Sequence, residues 1–381
     1  MELTGNWSFP TRVRFGAGRV RELGRACSEA GMSRPLLVTD RGLSGLDITR
    51  RALGILESEG YGRAIFSDVD PNPSDRNLAD GIRAFLDGGH DGVVAFGGGS
   101  GLDLGKAIAF MARQTRPVWD FEDIGDWWTR ADATVIAPNI AVPTTAGTGS
   151  EVGRASVITN SATEEKKIIF HPRILPVDVI CDPELTLGLP PAMTAGTGMD
   201  AFAHCLEAYC SPHFHPMSQG IAVEGLRIAA EFLPRAHADG SDIEARAQMM
   251  AAASMGAVAF QKGLGAIHAL SHPIGARYGT HHGTTNAVVM RAVLAFNRPA
   301  IERQIERAAA YLGIDGGFDG FLGFVVGLTR RLGIPDTLGG LGVADPDLDW
   351  LTARALADPT AGGNPIKLTV ESTRALYRAC L

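Results

Sequence analysis

The chain is poor in several features that would have pointed elsewhere. It has only five cysteines, Cys27, Cys181, Cys205, Cys210 and Cys380. Their number is odd and none stand in C-x-x-C spacing, which fits reduced thiols in a cytoplasm and excludes a disulfide framework. Cys205 follows a histidine, but adjacent helical residues point about 100° apart, so it reads as a buried thiol rather than a metal ligand. There is no excess of positive charge. Thirty-five Lys and Arg stand against 42 Asp and Glu, a net charge of −7, which argues against a nucleic-acid or anionic-membrane partner. No stretch approaches the roughly 20 apolar residues of a spanning helix. Met1-Glu2-Leu3-Thr4-Gly5 shows no basic region followed by an apolar core, so no signal peptide is expected. Repeats, low-complexity tracts and long linkers are missing too.

What is present is enough for two ordinary domains: 381 residues, 45% of them hydrophobic. The first half alternates strand-like and helix-like segments. Pro35–Asp40, 61–67, Gly92–Phe96 and Ile140–Pro143 read as strands, and 46–59 and 75–88 as helices. Such alternation predicts a parallel, doubly wound α/β sheet. Near Pro190-Pro191 the character changes. Segments 194–210, 217–233, 242–261, 264–277, 299–312 and 318–332 read as helices, with two more at 348–357 and 369–379. The expected organisation is an α/β dinucleotide-binding domain over residues 1–190 and an all-α metal-binding catalytic domain over 191–381.

Three elements of the first half suit a dinucleotide. Gly97-Gly98-Gly99-Ser100 runs from a strand end into a helix, where backbone can approach a pyrophosphate and helix N–H groups face it. The full G-x-G-x-x-G fingerprint fails, because Leu102 holds the last position; a tight structural turn is the alternative. Asp40, at the end of an earlier strand, can accept hydrogen bonds from ribose hydroxyls and would repel a 2′-phosphate, which favours NAD. It can equally be a turn or cap residue. The hydroxyl-rich run Pro143-Thr144-Thr145-Ala146-Gly147-Thr148-Gly149-Ser150-Glu151 follows a strand and offers contacts to phosphate, ribose or nicotinamide, with an ordinary Ser/Thr turn as the alternative.

The second half supplies metal ligands. Asp200-x-x-x-His204 and His268-x-x-x-His272 each put two side chains one turn apart on one helix face, and His281 and His282 follow. Asp200, His204, His268 and His282 form the expected set, with His281 able to replace His282 on spacing alone. Nitrogen and oxygen donors without thiolate suit a divalent ion acting as a Lewis acid on an alcohol or carbonyl oxygen. His272 is the spare imidazole, fit to relay a proton or to serve as a hydrogen-bond partner behind the ligands.

These residues resemble the iron-containing (group III) alcohol dehydrogenase family over nearly the whole chain. The resemblance rests on GGGSxxDxxK at 97–106, PTTAGTGSE at 143–151, Asp182-Pro183-Glu184, GMDAFAHCLEAY at 198–209, GAIHALSHPIGA at 265–276, and His282-Gly283-x-x-Asn286-Ala287. It implies a Rossmann-like NAD domain, a helical metal domain, and catalysis in the cleft joining them. Asp200, His204, His268 and His282 would bind Fe²⁺, with Zn²⁺ possible, and His272 would be the catalytic histidine. Gly97, Gly98, Gly99, Ser100 and Asp103 would hold the pyrophosphate region, Thr144, Thr145 and Thr148 would line the cofactor cleft, and Asp40 would set NAD preference. A family lysine maps to Lys166 or Lys167. The expected activity is reversible NAD-linked oxidation of a small primary alcohol, a diol or a hydroxy acid to an aldehyde, in a homodimer or larger assembly. Glycerol-dehydrogenase-like polyol oxidation with zinc and metal-dependent hydrolysis are the alternatives. Trp127-Trp128 reads as a packed surface loop, and Arg154 as either a contact for a substrate carboxylate or a surface cation.

Overall fold

The computed structural model describes residues 5–8, 11–163 and 165–381. Met1 to Thr4, part of the stretch inspected for a targeting signal, lie outside the described residues. The chain forms two compact units, Met1–Thr145 with Ser150–Leu187, and Ala146–Gly149 with Gly188–Leu381.

The first unit contains β1 (Gly5–Ser8), β2 (Arg12–Phe15), α1 (Leu23–Glu29), β3 (Pro35–Val38), α2 (Asp47–Ser58), β4 (Ile65–Phe66), α3 (Asp75–Asp87), β5 (Gly92–Gly97), α4 (Gly99–Met111), β6 (Asn139–Pro143), β7 (Ala155–Asn160), β8 (Glu165–Phe170) and β9 (Asp178–Cys181). Seven strands pair in the order β1-β2-β9-β6-β5-β3-β4, all parallel except the edge pair β1–β2. Strands β7 and β8 form a separate antiparallel hairpin.

The period-2 alternation of β5 sorts its side chains. Val94 and Phe96 join Leu23, Cys27, Leu53 and Leu56 of α1 and α2 in one core cluster. Val93 and Ala95 meet α4 on the other face, where Gly105 lies against them. A strand buried on both faces reads as the continuous apolar run seen at 92–96. The strand expected at 61–67 shrinks to Ile65–Phe66, because Gly60 and Gly62, both at positive φ, occupy its start. Strands β1, β2, β7, β8 and β9 add to those read from the sequence; charged residues such as Arg12, Arg14 and Asp178 hid β2 and β9. Those charges are paired: Arg14 bonds Asp178, Glu22 and Glu29, and Arg12 reaches Asp178.

The second unit is helical: α5 (Pro191–Cys210), α6 (Pro216–Ala238), α7 (Ile243–Ala259), α8 (Ala266–Tyr278), α9 (His282–Leu312), α10 (Gly317–Arg331), α11 (Leu348–Ala357) and α12 (Val370–Arg378). Helix α5 is buried without interruption from Thr194 to Cys210 and packs against α6, α7 and α9. The expected helix at 299–312 starts earlier, at His282, and passes through Pro299. A proline inside a helix costs about 3 kcal/mol. One buried stripe, Met290, Leu294, Asn297, Ile301, Ile305 and Ala308, continues across it and holds the helix together. No single helix among the described residues is long and apolar enough to cross a membrane.

Candidate active site

The candidate metal site grows from α5. Its 3.6-residue repeat brings Asp200, His204 and Glu207 to one face. Helix α8 contributes His268, and the first turn of α9 contributes His282. Gly283 lets α9 come this close: a Cβ there would sit 2.0 Å from the Gly196 carbonyl oxygen of α5.

The Nε2 atoms of His204, His268 and His282 lie 3.7, 3.7 and 3.4 Å from one atom, Asp200 Oδ1. The ligand atoms of Asp200, His204 and His268 all fall within 4.8 Å of one another. Two of these distances exceed a hydrogen bond. All three approximate the roughly 3.4 Å that separates donors around a tetrahedral ion with bonds near 2.1 Å. The rings of His204 and His268 stack at 4.7 Å and 11°. Asn286 Nδ2, one turn beyond His282, donates to Asp200 Oδ1 at 2.9 Å. Three imidazoles and a carboxylate, almost all buried, are the donor set that a divalent ion requires, so the residues fit Fe²⁺ or Zn²⁺.

Electrostatics agree with convergence on one point. Burial opposes charge on Asp200, but His204, His282 and His268 outweigh it and hold its carboxyl well below the usual carboxylate range. Burial pulls the pKa of His204 down to about 4, against the attraction of Asp200. Burial also opposes charge on His268, yet Asp200 and Glu207 push its pKa up to about 9. Cys205 is a buried thiol raised to about 12 by desolvation, with Sγ turned to the Ala252 carbonyl 3.8 Å away.

His281 and His282 separate cleanly. His281 is the N-cap of α9 and accepts from Thr284 N, while His282 faces Asp200. His272 stacks on His282 at 5.2 Å and 16°. Its Nδ1 lies 2.8 Å from Asp358 Oδ2. Asp358 in turn accepts from Thr360 N and Oγ1 at 2.9 and 2.5 Å. Burial works against the charge on Asp358, but His272 and the Thr360 donors keep its pKa below the ordinary value. With Asp358 receiving Nδ1–H, His272 Nε2 is left as an acceptor.

In the first unit the glycine run closes β5 and opens α4, with Gly98 as N-cap. Gly97 sits at φ 143, a region closed to other residues, and its carbonyl accepts from Thr144 N at 2.9 Å. Thr145 lies beside Gly98, where an added Cβ would be 3.2 Å from its methyl group. Asp40 Oδ1 accepts from Leu43 N at 3.0 Å, and a Cβ at Gly97 would be 3.7 Å from Oδ2. Ser100 Oγ donates to the Pro71 carbonyl.

Asp103 accepts from Ser150 Oγ and Val157 N and pairs with Lys106, so its carboxylate braces the 150–157 segment. Thr144 and Thr145 belong to the first unit and Thr148 to the second. Lys166 and Lys167 alternate across β8. Lys167 pairs with Glu122 and Glu165, and Lys166 points to the opposite face of the hairpin.

A profile described as "Iron-containing alcohol dehydrogenase" matches residues 10–183, and one described as "Fe-containing alcohol dehydrogenase family, C-terminal" matches 194–381. The chain belongs to the iron-containing alcohol dehydrogenase family. It is 41% identical over 381 residues to a 4-hydroxybutyrate dehydrogenase of Cupriavidus necator, covering 97% of both chains. It is 33% identical to an NAD-dependent methanol dehydrogenase of Bacillus methanolicus, over 99% of this chain and 100% of the other. The crystal structure of a 1,3-propanediol oxidoreductase superposes with a TM-score of 0.92 at 35% identity, covering 97% of each chain.

The enzyme is thus an oxidoreductase of the alcohol dehydrogenase type, in a family that uses NAD and Fe²⁺. Its relatives fit the diol and hydroxy-acid forms of the expected activity, not the zinc polyol or hydrolase alternatives. Glu207 and Asp358 went unnoticed in the sequence. Glu207 carried a signal, three residues after His204 on the ligand face. Asp358 carried none, standing 86 positions from His272. Trp128 packs edge-on to His171, and Trp127 lies under Arg130, 4.0 Å from the ring centre.

Proposed function

We propose that the enzyme oxidises a small primary alcohol bearing a second polar end, with 4-hydroxybutyrate first among the candidates and 1,3-propanediol next. The convergence of three imidazole Nε2 atoms on Asp200 Oδ1 carries the reading of a metal-assisted reaction. The 41% identical relative orders the substrates. Arg154, stacked 5.6 Å from the centre of the Phe170 ring, is a cation suited to a substrate carboxylate.

Residues 1–190 serve the dinucleotide and 191–381 the metal. Asp200, His204, His268 and His282 hold the ion, which when bound supplies Lewis acidity toward the alcohol oxygen. NAD, when bound, would supply the hydride acceptor. Gly97, Gly98, Gly99 and Ser100 present backbone N–H groups to the pyrophosphate, and Asp40 takes the ribose hydroxyls. Thr144, Thr145 and Thr148 line the nicotinamide side, and Lys166 is the lysine of the pair that serves the cofactor. His272, held by Asp358, takes the hydroxyl proton at Nε2 and passes it to solvent. Working in the cytoplasm as a homodimer or larger assembly, with no nucleic-acid or membrane partner, suits the acidic charge and reduced cysteines.

The test is NADH formation by the Fe²⁺-loaded enzyme across short alcohols, diols and hydroxy acids, with and without chelator. The expected result is turnover led by 4-hydroxybutyrate, abolished by chelator and restored by Fe²⁺. Turnover indifferent to chelator would remove the metal from the reaction. A panel led by ethanol or methanol would overturn the substrate assignment.

A further inference from the structure

We propose that Glu207 is a positioning residue that sets how tightly the second unit holds its metal, by fixing the orientation and tautomer of His268. The proposal rests on the metal-centre reading above.

Glu207 is 6% exposed and uses both carboxylate oxygens. Oε1 accepts from the backbone N–H of Ile267 at 2.6 Å, and Oε2 lies 2.6 Å from His268 Nδ1. The first bond anchors the carboxylate to the opening turn of α8, where the helix dipole favours negative charge. Gly265 makes room for it, since a Cβ there would lie 3.1 Å from Oε1. The neighbouring N–H, that of Ala266, is taken by Asn364 Oδ1 at 3.1 Å, so this helix end leaves Glu207 one backbone partner and one imidazole.

A carboxylate only accepts, so Nδ1 of His268 must carry the proton of that contact. Nε2, on the side that faces Asp200 Oδ1, is then the nitrogen that an ion would take. The negative charge behind the ring makes Nε2 a stronger donor to an ion. The same helix repeats the device one turn later at His272 with Asp358, on a histidine outside the ligand set. Helix α8 thus carries two imidazoles of defined tautomer, each held by a different carboxylate.

Glu207→Gln keeps the size and the bond to Ile267 but replaces the acceptor facing Nδ1 with an amide that donates, or else turns the donor toward Ile267. Metal affinity measured by chelator competition should fall about ten- to a hundredfold. The absorption bands of the Co²⁺-substituted protein should shift as the His268 donor weakens. Unchanged affinity and Co²⁺ spectrum would overturn the proposal and leave the metal centre standing. Wild-type protein that takes up no divalent ion would end both. Should Glu207→Gln fail to fold, ¹⁵N-histidine NMR of the Zn²⁺-loaded wild type decides. One metal-bound ring with an exchange-protected Nδ1 proton is expected, and its absence would overturn the assignment.

Discussion

The two units build their candidate sites from different parts of the chain. The first unit gathers its candidate cofactor residues at the C-terminal ends of β3, β5 and β6, with the N-terminus of α4. What it offers there is mainly backbone: the turn at Gly97, the N-cap at Gly98 and the free N–H groups that follow. The second unit gathers imidazoles and a carboxylate from the faces of α5, α8 and α9. One site depends on side chains that are missing, the other on side chains in place. The first should therefore resist changes of chemistry but not of volume, and the second the reverse.

The largest effect should come from removing a donor. His268→Ala is expected to lose metal and activity together. Several kcal/mol of Lewis-acid stabilisation vanish with the ion, about 10³-fold or more in rate, read by metal analysis and kcat side by side. His272→Ala, one turn along the same helix, should keep its metal and lose about 10²-fold in kcat as the proton relay goes. Equal metal loss in both variants would erase the division between ligand and relay.

Acidity should separate the units next. The His268 pKa of about 9 means that the metal-free protein carries a proton there below that pH. An ion must displace this proton, so metal affinity should rise about tenfold per pH unit toward pH 9 and then level off. Backbone N–H donors do not titrate, so NAD affinity should stay flat from about pH 6 to 8. Chelator competition and fluorescence titration with NADH measure the two. A metal affinity independent of pH would contradict the charge balance around Asp200. The smallest effect is steric. Gly98→Val would push a side chain onto Thr145 and raise KM for NAD about three- to tenfold, with metal content unchanged. A loss of metal in that variant would break the contrast.

How far each site was legible follows from the range of its interactions. Asp200 with His204, and His268 with His272, are pairs within one helix, and a spacing of four residues states their relation outright. The strand ends were legible for the same reason, since a buried parallel strand is an unbroken apolar run. Helix α9 was cut short in the sequence because Pro299 is a local stop signal, and only burial along the whole stripe from Met290 to Ala308 outweighs it. The contacts of Asp103 with Ser150 and Val157 were not legible, because these partners lie 47 and 54 residues away.

By itself the sequence determined the alternation of the first half, the helical second half, the inventory of metal donors and the family. Those are set by local periodicity and by residue types that no packing can alter. The tertiary structure decided between His281 and His282, turned Lys167 to Glu122, and brought Glu207 to His268 and Asp358 to His272 across 61 and 86 positions. Such choices depend on which helix faces meet, and that is set by the burial of whole faces, not by any pair of neighbours in the chain.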